Sequence, residues 1–176
     1  VGEVAYHREY LLRVIAEEGQ IIKESDIHTY PNASLTKADE TGGAPIRVIN
    51  GAVAVDLAIS TKTKADFTAA VAGITAEWVG RRRLLIKPNP FNQRVDFDDA
   101  INDLTLIFDS MPHGSKMVVE DVHYQRAAIQ TLRKRMHVPA FPVRPISDKK
   151  ARLEAVSPWI KDGTVLFPET GCEVLI

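Results

Sequence analysis

The sequence predicts an α/β domain: a mixed β-sheet with helices packed on its faces, opening with a three-stranded antiparallel meander. Three observations predict it. Apolar runs rich in β-branched residues recur at strand length, three of them precede the first helical stripe of the compact part, and beyond that point strands alternate with helices. With 176 residues, 45% of them hydrophobic, the chain suits one globular unit able to bury a core, plus an appended segment.

Taken in order, Tyr6 to Glu17 carries Tyr10, Leu11, Val14 and Ile15 at the three-to-four spacing of a helix stripe, with Gly19 as its stop. Residues 31–45, with Pro31, Asn32, Gly42, Gly43 and Pro45, read as a linker. The chain therefore divides into residues 1–45, an N-terminal helix and linker segment, and residues 46–176, the compact domain. Strands are expected near 50–58, 67–76 and 81–88, joined by the polar stretch 59–66 and by a short turn from Glu77 to Gly80. A helix follows over 96–110, because Phe97, Ile101, Leu104 and Phe108 share one face. Next come a strand at 116–121, a helix over 123–136 using Ala128, Leu132 and Met136, a strand at 140–146, a helix started by Ser147-Asp148, and a strand at 164–168.

Lys and Arg number 22 against 23 Asp and Glu, so only local clustering speaks to a polyanionic partner. Cys172 is the sole cysteine, which excludes an internal disulfide and a multi-thiolate zinc site and fits a reducing compartment. Apolar runs fall short of the roughly 20 residues that cross a bilayer, and the first 20 residues, holding Glu3, Glu9, Glu17 and Glu18, lack the pattern of a secretory signal. The expectation is a soluble cytosolic protein without a membrane partner.

The chemistry concentrates at two strand ends. Val53-Ala54-Val55-Asp56-Leu57-Ala58 carries one carboxylate on an apolar run and is followed by Ser60, Lys62 and Asp66; Met117-Val118-Val119 ends in Glu120-Asp121. Acids pushed out beside a core are costly unless a cation compensates them, and oxygen ligands suit a hard divalent ion. Alternation puts Ala54 with Asp56 on one strand face, and sends Glu120 and Asp121 to opposite faces, so only one of that pair easily joins Asp56; Glu120 is favoured. Each has a plainer reading as well. Asp56 alone would equally cap a loop or pair with Lys62 or Lys64, Asp66 would serve as turn chemistry, and Glu120 and Asp121 as solvated loop acids. His123 is an auxiliary ligand or general acid, or else a helix-start capping residue. Three basic clusters stand out: Arg81-Arg82-Arg83, Arg133-Lys134-Arg135, and Lys149-Lys150 with Arg152. The last falls in the first turn of a helix, where Lys149 and Arg152 occupy neighbouring surface suited to gripping a phosphate backbone.

These residues together resemble a known family, the large terminase subunits of tailed bacteriophages, and within them the C-terminal nuclease domain with its ribonuclease H-like fold. The resemblance rests on Val53-Ala54-Val55-Asp56-Leu57-Ala58 before Lys64-Ala65-Asp66-Phe67-Thr68, on Val118-Val119-Glu120-Asp121 with Tyr124-Gln125, and on Asp148-Lys149-Lys150-Ala151-Arg152 before Gly163-Thr164-Val165-Leu166-Phe167-Pro168. Glu9-Tyr10-Leu11 and Glu18-Gly19-Gln20-Ile21-Ile22 look like the segment that joins motor to nuclease.

The resemblance implies metal-dependent endonucleolytic cutting of concatemeric viral DNA in the bacterial host cytoplasm. Asp56 and Glu120 match the first two acidic positions, holding two magnesium or manganese ions about 4 Å apart. Asp121 is the weaker metal candidate, Asp66 and His123 are auxiliary, and Lys149, Lys150 and Arg152 would bind the duplex. Implied partners are double-stranded DNA, the terminase ATPase domain, the small terminase subunit and the portal. Two departures accompany it. The family's third acid lies on a helix after the last strand, which residues 46–176 are expected to lack, and Glu169 and Glu173 match it in neither type nor spacing. There is also no G-x-x-x-x-G-K-[ST] loop, so the packaging ATPase is not in this chain. The fragment is therefore expected to bind metal weakly. The alternatives are another ribonuclease H-like nuclease or resolvase, and a non-catalytic nucleic-acid-binding or assembly module.

Overall fold

A computed structural model describes residues 21–32, 46–57, 67–121 and 126–172. The helix expected over Tyr6 to Glu17 and most of the linker lie outside the described residues. A 3₁₀ turn, Glu24–Asp26, leads into β1 (Thr29–Tyr30). The meander follows as β2 (Arg47–Asp56), β3 (Thr68–Trp78) and β4 (Arg81–Ile86), then β5 (Phe91–Gln93) and the first helix, α1 (Phe97–Asp109). After it β6 (Lys116–Glu120), α2 (Arg126–Lys134), β7 (Ala140–Val143), α3 (Lys149–Lys161) and β8 (Val165–Pro168) alternate.

The strands form one mixed sheet in the order β1-β8-β4-β3-β2-β6-β7, with β5 pairing on β3. β2 sits centrally, antiparallel to β3 and parallel to β6; β4 completes the antiparallel meander, while β6 with β7 and β4 with β8 run parallel. This is the ribonuclease H-like arrangement, with the three antiparallel strands first, β6 and β7 added at the β2 edge and β8 at the β4 edge.

Alternation along β2 decides where the core lies. Val53 and Val55 are buried while Ala54 and Asp56 are exposed, so one face of the sheet is apolar and the other open. The apolar face receives α1 through Ala100, Ile101 and Leu104, and α2 through Ala128, Ile129 and Leu132, over Met117, Val119 and Ala140. Phe97, Phe108 and Met136 close its rim. Asp96 caps α1 by accepting from the Asp99 amide at 2.9 Å. A second cluster, Tyr30, Ile74, Ala76, Leu85 and Leu166, secures the other end of the sheet.

Several boundaries differ from the sequence expectation. β7 stops at Val143 rather than 146, since Arg144 turns aside to pair with Asp121 and Pro145 cannot donate to a ladder. The hairpin turn between β3 and β4 is only Val79-Gly80, both at positive φ, the pattern of a tight primed turn that matches strand twist. β1 and β5 were not expected from the sequence: two and three residues are too short to show a period, and pairing with β8 and β3 creates them.

Tyr30 is fully buried and its hydroxyl donates to the Ile86 carbonyl at 2.6 Å, tying β1 to the end of β4. Tyr30→Phe should cost about 1–2 kcal/mol in urea unfolding, because that carbonyl loses a partner. Burial, and next Cys172, push this hydroxyl well above the ordinary tyrosine range. The folded chain thus keeps a proton that the unfolded chain releases near pH 10, so this group's contribution is intact below about pH 10 and is lost as pH rises further. The Phe variant should show a shallower alkaline fall in stability.

Candidate active site at the ends of two parallel strands

The register of β2 on β6 pairs Ala54 with Val118 and Val55 with Val119. One step on, Asp56 and Glu120 stand side by side at the carboxyl ends of two adjacent parallel strands, on the face opposite the core. Ala54, Val71 and Val118 floor the cleft of about 300 Å³ into which both open. Val143, which ends β7, and Pro145 beyond it wall one side, and Arg152 of α3 leans in from above. Carboxyl ends of parallel strands are where open α/β sheets hold ligands, since the connections there splay to opposite faces.

α3 is aimed at this cleft by its own start. Asp148 accepts from the Ala151 amide at 2.8 Å, fixing the first turn, so that Arg152 projects one turn in. Its Nη1 lies 3.5 Å from Glu120 Oε1, and the two side chains are 41% and 22% exposed. At that distance and exposure the pair is weak. Arg152 Nε is buried without a hydrogen-bond partner among the described residues, while the half-exposed side chain lines the cleft.

Among the remaining expected residues, Asp121 points to the opposite face as alternation requires, where it is only 9% exposed and accepts from Arg144 Nε at 3.2 Å. Lys150 pairs loosely with Glu154 at 3.9 Å, while Lys149 is exposed and makes no ion pair among the described residues. Asp66, His123, Lys62 and Lys64 lie outside the described residues, as does Glu173. Glu169 follows β8, three strands from β2. Of the other basic clusters, Arg83 donates to the Gly163 carbonyl at 2.6 Å and Arg133 to that of Ala140 at 2.5 Å, so both brace the fold. Sequence reasoning did not single out Val143, Pro145 or Arg144; no motif marks them, and they reach their places only through the pairing of β7 on β6.

Among the described residues no group of three or more His, Cys, Asp or Glu gathers in one place. The pair Asp56 and Glu120 is nevertheless an all-oxygen donor set beside open space. That fits magnesium or manganese, which bind through one or two carboxylates, keep several waters and accept substrate phosphates.

No protein-family model and no curated protein matches the sequence. Solved structures do. The large terminase of a thermophilic bacteriophage, in complex with ATP-γ-S, superposes with a TM-score of 0.55 at 13% identity, over 88% of this chain and 34% of that one. Another crystal form of the same terminase gives 0.51 at 12% identity, over 85% and 32%. The human cytomegalovirus terminase nuclease domain gives 0.51 at 16% identity, over 88% of this chain and 75% of that domain. The chain thus spans about a third of the phage protein and most of the isolated viral domain. Its fold is that of a terminase nuclease domain.

Proposed function

We propose that this chain is the DNA-cutting domain of a viral genome-packaging terminase, a divalent-ion-dependent endonuclease acting on concatemeric DNA. One observation carries the reading: two carboxylates, Asp56 and Glu120, stand on neighbouring strand ends of a terminase nuclease fold and open into the same cleft. Asp56 and Glu120 would hold magnesium or manganese ions, which when bound supply a stronger nucleophile from water and stabilise the leaving oxygen of an in-line displacement. Arg152 places a guanidinium against Glu120 at the rim of the cleft and would orient the scissile phosphate through its terminal amino groups. Lys149, at the exposed start of α3, would meet the duplex backbone beside it. In this reading the partners are double-stranded DNA and the packaging motor, with its ATPase, small subunit and portal.

The test is nicking of supercoiled plasmid in manganese, comparing the parent chain with Asp56→Ala and Glu120→Ala. Manganese-dependent nicking is expected from the parent and should fall by at least about a hundredfold in either variant, since each removes a ligand on which transition-state charge stabilisation depends. Cutting that survives both substitutions would rule out this site.

A further inference from the structure

On the opposite face of the sheet, behind the carboxyl ends of β6 and β7, lies a second concavity of about 460 Å³. Ile129 of α2 and Pro142 of β7 form its apolar base, and its rim is set with Arg126, Gln130, Arg133 and Arg144. Arg126, Gln130 and Arg133 are spaced i, i+4 and i+7 along α2, which puts all three on one helix face. Against three guanidiniums stands one carboxylate, Asp121, so the lining carries three positive charges less one, a net of +2.

Two of these arginines are held in an unusual way. Arg144 spends its Nε on Asp121 at 3.2 Å, and Arg133 spends its Nε on the Ala140 carbonyl at 2.5 Å. Arg133 is also stacked 5.5 Å from the centre of the Phe141 ring. A guanidinium anchored through Nε keeps both terminal amino groups for a ligand, and for Arg133 the ring contact restricts its orientation before the ligand arrives. That suits the two-pronged recognition of a phosphate, and the Gln130 amide adds a further donor.

The position of this concavity supplies its occupant. Glu120 opens into the cleft and its neighbour Asp121 into the concavity; Val143 walls the first and its neighbour Pro142 the second. Only the carboxyl ends of β6 and of the edge strand β7 separate them. We infer that the concavity is a second phosphate-binding site for the DNA whose scissile bond sits in the cleft, gripping the backbone as it passes over the β7 edge. The inference rests on the nuclease reading, and it makes the far side of the sheet edge part of the DNA track.

Binding of a fluorescent duplex of about 30 base pairs, followed by anisotropy with chelator present and salt varied from about 50 to about 200 mM, tests it. The variants are Arg126→Glu and Gln130→Ala. Neither side chain makes a hydrogen bond or ion pair to another described residue, and an acid in the first turn of α2 suits the helix dipole, so folding should hold. Arg126→Glu should bind about tenfold more weakly at the lowest salt. Each lost phosphate contact should reduce the salt slope by about 0.9, so a fourfold rise in salt weakens the variant about threefold less than the parent. If the parent binds and nicks DNA while both variants keep its affinity and slope, the second site is overturned and the nuclease reading stands. Should the parent neither bind duplex nor cut it, both fall. A concavity that takes inorganic phosphate at matched ionic strength, yet whose substitutions leave duplex affinity unchanged, is a small-anion site and also overturns the assignment.

Discussion

Leu104→Ala should lower the stability of the chain by about 3 kcal/mol, within the span of about 2–5 kcal/mol seen when a leucine is cut out of a packed core. Leu104 is fully buried in the layer between α1 and the sheet, in one cluster with Val55 and Val119, the residues that precede Asp56 and Glu120. Deleting its side chain removes apolar contacts and leaves a hole that neither the helix nor a sheet fixed on both sides can collapse into. For a domain of this size the melting temperature should drop by about 6–12 °C. Leu106, two positions on and 68% exposed, supplies the internal control, since Leu106→Ala should stay within about 0.5 kcal/mol. A loss below about 1 kcal/mol for Leu104→Ala would mean that this layer is not packed as described. The same experiment bears on function, because the strand ends carrying both carboxylates are levelled by this layer from behind.

How far the sequence reveals this molecule depends on how local each feature is. The face of β2 was legible because its last residues alternate cleanly: buried Val53 and Val55 against exposed Ala54 and Asp56. α1 was legible from one stripe, and the start of α3 from Asp148, whose capping bond is a contact between residues three apart. Features made by partners distant in sequence were not. Thr29–Tyr30 is a strand only because Phe167 and Pro168 lie beside it, and Phe91–Gln93 only because β3 continues past β4. The candidate site shows both behaviours. That Asp56 and Glu120 each leave a strand end could be read directly, and so could the divergence of Glu120 from Asp121. That β2 and β6 are parallel neighbours in matching register could not be read from either strand, and it is this pairing that brings the two acids together. The arginines of the second concavity were hidden for the same reason: Arg126 and Arg144 meet only once β7 has docked on β6 and α2 has packed behind them.

The second large effect expected is on stability in the presence of the ion. Asp56 and Glu120 are like charges on laterally adjacent strand ends, and Arg152 at 3.5 Å from Glu120 neutralises the pair only in part. Without divalent ions, Asp56→Asn should therefore be as stable as the parent or more so, by up to about 1 kcal/mol, the usual scale of an opposed like-charge pair. Manganese reverses the order. An ion that binds the folded chain alone stabilises it by RT ln(1 + [L]/Kd), about 2.7 kcal/mol at a hundredfold excess over Kd, so the parent should melt several degrees higher. Asp56→Asn and Glu120→Gln should lose most of that gain, because an amide oxygen is a neutral and weaker ligand for a hard cation. The sign is the discriminating feature, since a substitution that merely damaged the fold would lower the melting point with and without the ion. A parent melt unmoved by manganese across its whole titration would remove the ion from the proposed mechanism, and a parent melt raised equally in both variants would move it to other ligands.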